Sequence, residues 1–395
     1  MIGAPVVLEG VTVVTADRVE RRDLAFANGH VVARPPDDAL RVDAVGHFAY
    51  PGLVNAHDHL QLNCIPALPQ DGFFADSYDW IDAYEQFMSR SEVRSAVAIP
   101  AAQRHWHGGY KNLLAGVTTV AHHDPSHASL GEPGYPVAVP HRMSWCHSLG
   151  LASSEDDRRP RYGPPVRESF EESDGEVPWV IHLAEGTSAR SRGELKRLDA
   201  MACLASHTVI VHGVALGEDD IERIIDAGAA VVWCPSSNMR MLGATLAPGR
   251  LASARRLALG TDSRLTGSRD MLDEMRVAHA CGALTAREVF RIATDGGREV
   301  LRLPPCRLQA GDQADCLIVR GDGDPYEALL RTSRSQLRAV LRNGTVMLSD
   351  IDLALRIGDV SGEMIPLRVD GVGKLIARDA ARPDALRLEC GVEVS

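Results

Sequence analysis

Lysine is the residue that this sequence most nearly lacks. It occurs only at positions 111, 196 and 374 of 395 residues, so the basic residues are nearly all arginine. The formal net charge is −11 at pH 7, and no stretch of the chain forms a basic stripe. A protein that binds a nucleic-acid backbone needs clustered positive charge. We therefore expect no nucleic-acid partner.

Three further absences concern the compartment. No run of 18 apolar residues is present, which predicts no membrane-spanning helix and no membrane partner. The eight cysteines contain no C-x-x-C pair and fit reduced thiols better than a disulfide framework. The N-terminus has no basic segment and reaches Glu9 too early for a signal peptide. These features predict a cytoplasmic protein.

What is present is typical of a soluble enzyme, with 45% hydrophobic and 24% charged residues. Residues 5–50 show short β-like runs, and Asn28-Gly29 is a hairpin signal. From 51 to 305, apolar strands alternate with helical patterns. The predicted strands are Phe48–Ala56, Val117–His122, Val137–Trp145, Trp179–Leu183, Val209–His212, Ala230–Cys234 and Leu257–Gly260. The predicted helical stretches include Tyr78–Tyr110, Gly193–Ala205, Glu218–Ala227 and Asp270–Ala280.

This alternation predicts an α/β fold, a (β/α)8 TIM-like barrel. Only seven strands are found. Residues 151–178 should hold the fourth, so either that strand is hidden there or the barrel is irregular. The β pattern returns after 305, and one β-sandwich built from both termini explains both ends. The predicted divisions are 1–50 and 306–395 for the sandwich and 51–305 for the catalytic barrel.

The first barrel strand carries His57-Asp58-His59. Residues i and i+2 of a strand share a face, so the two imidazoles lie side by side while Asp58 points away. Neutral imidazole is a common ligand of zinc and iron. The motif alone is weak evidence for a metal site, because many such pairs are ordinary histidines.

Later strands supply the missing donors. Three apolar strands end in polar groups that a core would reject unless they had partners. In a barrel, these ends gather at the catalytic face. The endings are His182-Leu-Ala-Glu185, Val211-His212-Gly213 and Gly260-Thr-Asp262-Ser263.

These residues resemble the amidohydrolase superfamily of metal-dependent barrel hydrolases, and within it the cytosine deaminase, adenosine-type deaminase and chlorohydrolase branch. The resemblance extends to Gly311-Asp-Gln-Ala-Asp315 and Arg342-Asn-Gly-Thr-Val346, so it covers nearly the whole chain. It implies a small-molecule substrate. It is also compatible with a homodimer, which no feature of the sequence shows.

Carried over residue by residue, the resemblance implies that His57, His59, His182 and Asp262 hold one divalent ion. His212 would lie beside the metal-bound water or the attacked carbon of the substrate, and Glu185 would be the proton shuttle. Such a ligand set leaves a position open for water, which the metal acidifies. Asp262 can take a proton from that water, and Glu185 can pass one to a ring nitrogen or a leaving amine.

The scarcity of lysine bears on the number of ions. Many members of the superfamily bridge two ions with a carboxylated lysine on the fourth strand, but no lysine lies between 111 and 196. We therefore expect a mononuclear site, with zinc as the first choice and iron as the second.

A further set of residues lies in loops or strand ends that face the predicted pocket. For each one an ordinary role in packing, turn formation or solvation is also open. Those predicted to contact the substrate are Asn63, Trp80, His123, Trp233, Ser236, Asn238 and Arg264.

The predicted activity is hydrolytic removal of ammonia from a cyclic amidine or an amino-substituted heterocycle. The same site would also suit hydrolysis of a cyclic or linear amide, or of a ring carbon–halogen bond. A non-catalytic binding barrel is the remaining alternative, and it would be expected to have broken ligands, which this chain does not.

Overall fold

The computed structural model describes residues 5–152, 162–357 and 364–394. Strands from both ends of the chain form one sheet, and the middle of the chain forms a barrel. The N-terminal strands are β1 (Val6–Val14), β2 (Val19–Ala27), β3 (His30–Val32), β4 (Leu40–Asp43) and β5 (His47–Pro51). Asn28 and Gly29 both have positive φ, 52° and 82°, and connect β2 to β3. The predicted hairpin is therefore confirmed.

The barrel strands are β6 (Leu53–Asp58), β7 (Val117–His122), β8 (Ser144–Ser148), β9 (Trp179–Leu183), β10 (Thr208–His212), β11 (Ala230–Trp233) and β12 (Leu257–Leu259). Their helices are α1 (Ser77–Met88), α2 (Ser91–Val97), α3 (Ala101–Leu113), α4 (Leu149–Ala152), α5 (Val166–Glu172), α6 (Ala189–Arg192), α7 (Glu194–Ala200), α8 (Glu218–Asp226), α9 (Pro235–Leu242), α10 (Gly249–Ser253), α11 (Met271–Ala280), α12 (Ala286–Ile292) and α13 (Asp295–Val300). Strands β8 to β12 pair in parallel in chain order, as do β6 and β7. The predicted α/β barrel is confirmed.

The fourth strand does not lie where the sequence analysis placed it. The predicted third strand, Val137–Trp145, contains two separate pieces. Ala138 pairs with β7, since its N–H donates to the Thr118 carbonyl at 2.8 Å and its carbonyl accepts from Val120 at 2.9 Å. The second piece is β8, which pairs with β9 and forms the fourth strand. Pro140, which has no N–H to donate, separates the two pieces.

The segment 151–178 therefore follows the fourth strand instead of containing it. Its described part includes α5, and residues 153–161 lie outside the described residues. The barrel closes between its last and first strands, because the N–H groups of Thr261 and Asp262 both donate to the His57 carbonyl at 3.1 Å.

Strands β9 and β10 are buried on both faces, which explains their nearly continuous apolar sequences. Alternate residues serve two cores. Val180 and Val209 belong to a cluster of small side chains from neighbouring barrel strands, whereas Ile181 and Ile210 pack in the larger cluster that includes Leu195 and other helix residues.

The C-terminal elements are β13 (Cys316–Arg320), α14 (Pro325–Arg331), β14 (Leu337–Arg342), β15 (Thr345–Asp350), α15 (Ile351–Ile357), β16 (Met364–Val369), β17 (Val372–Ala377), α16 (Pro383–Leu386) and β18 (Val392–Val394). Strand β13 pairs with β5, which also pairs with β1, so both chain ends share one eleven-stranded sheet. The prediction that the two termini combine outside the barrel is confirmed.

The sequence analysis joined β5 and β6 into one strand. They are two, separated by Gly52, and they belong to different sheets. A Cβ at Gly52 would lie 2.2 Å from the Thr118 hydroxyl, so only glycine fits this crossing point. Within the described parts of the chain, no helix combines the length and apolar character needed to cross a membrane.

Candidate active site

The end of β6 sends its side chains in two directions, as the alternation of a strand predicts. The buried rings of His57 and His59 lie 4.9 Å apart, centre to centre. Asp58 points away and accepts from Lys111 Nζ at 3.1 Å, Asn112 Nδ2 at 2.9 Å and Asn63 Nδ2 at 2.9 Å. Asp58 is therefore a buried, fully partnered support for the strand end.

Potential metal-ligand atoms that follow or end four strands lie close together at the carboxyl end of the barrel. His57 Nε2 lies 3.3 Å from His182 Nε2, and Asp262 Oδ1 lies 3.8 Å from the Nε2 atoms of both His57 and His59. His57, His59 and Asp262 form one group whose ligand atoms all lie within 4.8 Å of one another, and His57, His182 and His212 form a second. The structure thus brings together all four predicted ligands and His212.

The tautomers of two rings suit a cation. His182 Nδ1 lies 2.8 Å from the His147 carbonyl, and because that oxygen can only accept, Nδ1 carries the proton. His59 Nδ1 is likewise bound to the Asp124 carboxylate at 2.7 Å. Nε2 of the neutral His182 ring therefore presents a lone pair to the cluster, and Nε2 of His59 is the nitrogen left to bind an ion in place of a proton.

The electrostatics differ between the rings of the cluster. Burial and neighbouring imidazoles lower the pKa of His57 and of His182 well below the ordinary range, so both rings are neutral. Burial also lowers the pKa of His59, but Asp124 and Asp262 outweigh it and raise that pKa to about 9. A cluster that holds a protonated His59 ring between neutral imidazoles and buried carboxylates favours positive charge, so the residues present fit a divalent ion.

Asp262 divides its two oxygens between different tasks. Oδ2 accepts from Ser237 Oγ at 2.8 Å and Thr266 Oγ1 at 2.7 Å, while Oδ1 faces the histidines. Burial raises its pKa, but His59 and His212, together with these hydroxyls, outweigh that effect and lower it. Asp262 is therefore an oriented carboxylate.

Glu185 lies beside His212, with Oε1 3.7 Å from His212 Nε2. The same oxygen accepts from the Trp80 indole N–H at 3.0 Å. Burial raises the pKa of Glu185 to about 7, against the opposing effect of His212. A carboxyl group with a pKa near neutrality can both take and give a proton.

Three strand-end residues of the site have left-handed backbone conformations, with φ of 56° at Ala184, 75° at His212 and 54° at Asp262. Such conformations are unfavourable for residues other than glycine and cluster at functional sites. They turn the chain at the points where Glu185, His212 and Asp262 face the cluster.

The predicted substrate contacts divide into two groups. His123 joins the cluster, since its ring stacks on His182 at 4.4 Å. Asn238 Oδ1 accepts from His212 Nδ1 at 2.9 Å, so it orients that ring. Together with Trp80, these residues lie at the site.

The other four have partners elsewhere. Trp233 is fully buried and donates to Thr245 Oγ1, and the Ser236 N–H donates to Glu274. Asn63 bonds Asp58, as described above. Both terminal nitrogens of Arg264 bond Glu389 at 2.8 Å, so the carboxylate that Arg264 binds is supplied by the chain itself. The side chains of Asn63, Trp233 and Arg264 thus bond residues outside the cluster, and Ser236 is held by its main chain.

Sequence reasoning missed several residues of the site. His147 ends the fourth strand and lies 4.6 Å from His182 between ring centres, but the strand had been placed elsewhere. The sequence showed Asp124 only as an acidic residue that follows two histidines, and it gave no sign of the bond to His59. Lys111 Nζ donates to the Asp262 carbonyl at 2.8 Å, and it had been considered only for its rarity.

Sequence comparisons place this site in a known context. Residues 161–348 match the sequence model of the Amidohydrolase family. A 5-methylthioadenosine/S-adenosylhomocysteine deaminase of Haloquadratum walsbyi is 23% identical over 335 residues, which cover 72% of this chain and 73% of that protein. The protein of the same name from Syntrophobacter fumaroxidans is 26% identical and covers 75% of this chain and 79% of its own length.

Solved structures show the same fold. A zinc- and atraton-bound variant of atrazine chlorohydrolase from Arthrobacter aurescens superposes with a TM-score of 0.70 at 18% identity, over 89% of this chain and all of that one. A zinc-bound adenosine deaminase from Xanthomonas campestris gives 0.68 at 20% identity, over 90% of this chain and 96% of its own.

Proposed function

Because this chain belongs to the amidohydrolase superfamily, we propose that it hydrolyses an amino-substituted heterocycle or a cyclic amidine and releases ammonia. The observation that carries the proposal is the position of Glu185, a buried carboxyl with a pKa of about 7, 3.7 Å from His212 and beside the histidine–aspartate cluster. The deaminase names of the relatives support the choice of reaction.

We assign the ion-binding role to His57, His59, His182 and Asp262, and we propose one divalent ion. Lys111 is bound to Asp58, Thr261 and the Asp262 carbonyl, so it is not free to bridge a second ion. Zinc is our first choice, supported by the zinc-bound structural neighbours, and iron is the second. When bound, the ion would lower the pKa of a water molecule and so supply a nucleophile near neutral pH.

The chain's own groups move the protons. Oδ1 of Asp262 faces the cluster and can accept one proton from the attacking water, while Glu185 receives the second and passes it to the substrate. His212, whose Nδ1 is bound to Asn238 Oδ1, would contact through Nε2 the oxygen that gains charge.

The overall reaction balances without another reactant. The water oxygen forms a bond to the ring carbon, the carbon–nitrogen bond breaks, and the two water protons end on the departing amine and the ring system. The products are the oxo heterocycle and ammonia.

The test is product analysis with zinc-loaded protein. The panel contains amino-pyrimidines, purines and their nucleosides including 5-methylthioadenosine, triazines and pterins, with cyclic amides and ring chlorides alongside. We expect ammonia from at least one amino heterocycle, and release at least about 100-fold slower with E185Q. Chloride release without ammonia would show that the site hydrolyses a ring carbon–halogen bond instead, and ring opening without ammonia would show that it hydrolyses a cyclic amide. No product from any compound would overturn the proposal.

A further inference from the structure

The start of α1 is attached directly to the turn that carries Glu185. The Ser77 N–H donates to the Glu185 carbonyl at 2.9 Å, and the Thr187 N–H donates to the Ala75 carbonyl at 2.8 Å. The Trp80 indole N–H reaches the Glu185 side chain itself at 3.0 Å. The main chain and the carboxylate of Glu185 are therefore held from the same helix.

A second set of hydrogen bonds holds Ala184, the residue before Glu185. Tyr78 Oη donates to Glu194 Oε1 at 2.9 Å, and Glu194 Oε2 accepts from the Ala184 N–H at 2.7 Å. Asp76, which caps α1, also accepts from Ser188 Oγ at 2.7 Å. These contacts support the left-handed turn at Ala184 from the α1 side.

The contact from Trp80 differs in kind from the others because it reaches a reacting group. An indole N–H only donates, so Oε1 of Glu185 accepts there, and this bond favours Oε2 as the oxygen that carries a proton. The single polar atom of Trp80 is thus used by Glu185 and is not available to a ligand.

We infer that Trp80 is a positioning residue that holds the Glu185 carboxyl in the orientation for proton transfer. The inference rests on the proposed function, since it assigns Trp80 to the proton step of that reaction. It contrasts with the expectation that Trp80 contacts the substrate. Positioning affects kcat, whereas substrate contact affects mainly KM.

The test compares zinc-loaded W80F with wild type. Loss of the N–H should lower kcat about 10- to 100-fold, as a misplaced catalytic group does, while KM changes by less than about threefold. Y84F is the matched control, because Tyr84 packs edge-on against Trp80 on the same helix and leaves the indole N–H intact. Benzothienylalanine, inserted at position 80 alone, keeps the ring shape and replaces N–H by sulfur. We expect it to reproduce the W80F loss.

Two kinetic outcomes would overturn the inference. One is a rise in KM with unchanged kcat in W80F, and the other is full activity with benzothienylalanine.

A spectroscopic measurement separates this inference from the proposed reaction. In ¹⁵N-labelled protein, the indole resonance that disappears in W80F belongs to Trp80. The indole N–H proton of Trp80 should shift upfield in E185A, because that variant removes the Glu185 oxygen that accepts its hydrogen bond. An unchanged chemical shift would show that the bond between Trp80 and Glu185 is absent. If wild type hydrolyses nothing but the resonance shifts, the proposed reaction fails while the contact stands.

Discussion

Asp124 should set the affinity of the site for its ion, although it does not face the cluster. It is buried, and its Oδ2 accepts from His59 Nδ1 at 2.7 Å and from Gln61 Nε2 at 2.6 Å, while Tyr162 donates to Oδ1. Burial raises its pKa, but His59 outweighs burial and lowers it, so the group is a carboxylate at neutral pH. It therefore holds one proton of His59 on Nδ1, so that Nε2 is the nitrogen that binds the ion in place of the second proton.

The magnitude follows from this one contact. D124A removes a charge-assisted hydrogen bond, which contributes about 1.5–3 kcal/mol. At about 1.4 kcal/mol for each factor of ten, that corresponds to roughly 10- to 100-fold weaker zinc binding, the range typical of such supporting carboxylates. D124N keeps an acceptor but loses the charge, so its loss should be smaller.

The assay is competition for zinc against a chromophoric chelator, with folding checked by circular dichroism. Y162F serves as a graded control, because it removes a donor to Asp124 and leaves the bond to His59 in place. Zinc binding by D124A as tight as that of wild type, under conditions in which H59A loses the ion, would refute the reasoning.

Three other predictions concern protons and buried charge. E185Q should lower kcat by about 10²–10⁴ with unchanged metal content, since only proton transfer is lost, and equal kcat would contradict this role. K111M should lower the free energy of unfolding, measured by urea denaturation, by about 3 kcal/mol, because it leaves the buried Asp58 carboxylate without its cation. The double variant D58N/K111M should recover at least half of that loss, and an unchanged free energy of unfolding in K111M would contradict the prediction. Burial raises the pKa of Glu274 to about 7, above about 4.3 when unfolded, so stability falls as pH rises between these values. In E274Q this decline should be smaller between pH 5 and pH 8, and an unchanged pH slope would exclude the effect.

The sequence was informative wherever an apolar strand ended in a polar residue. A parallel barrel gathers the carboxyl ends of its strands, so His57, His182, His212 and Asp262 had to meet once the strands were identified. The prediction depended only on local patterns and on this rule of the fold.

The fourth strand shows where local pattern fails. Ala138 and the start of β8 lie in one predicted strand, although Pro140, His141 and Arg142 interrupt it and mark the break between the two. Because β8 was not separated, His147 could not be recognised as a strand-end residue.

Supporting contacts were beyond reach for a different reason. Trp80 and Glu185 are 105 residues apart, His59 and Asp124 are 65 apart, and Arg264 and Glu389 are 125 apart. Nothing in a single sequence pairs such residues. Arg264 was expected to face the pocket from its place two residues after Asp262, and only the structure reveals the carboxylate that binds it.

The metal content of the protein tests the central claim most directly. Protein stripped with a chelator and reloaded with zinc should contain close to one ion per chain by elemental mass spectrometry, and D262N and H57N should contain far less. Hydrolysis by wild type should return in proportion to the bound ion. Substoichiometric metal in wild type, or equal metal in all three proteins, would contradict the assignment of the cluster as the metal centre.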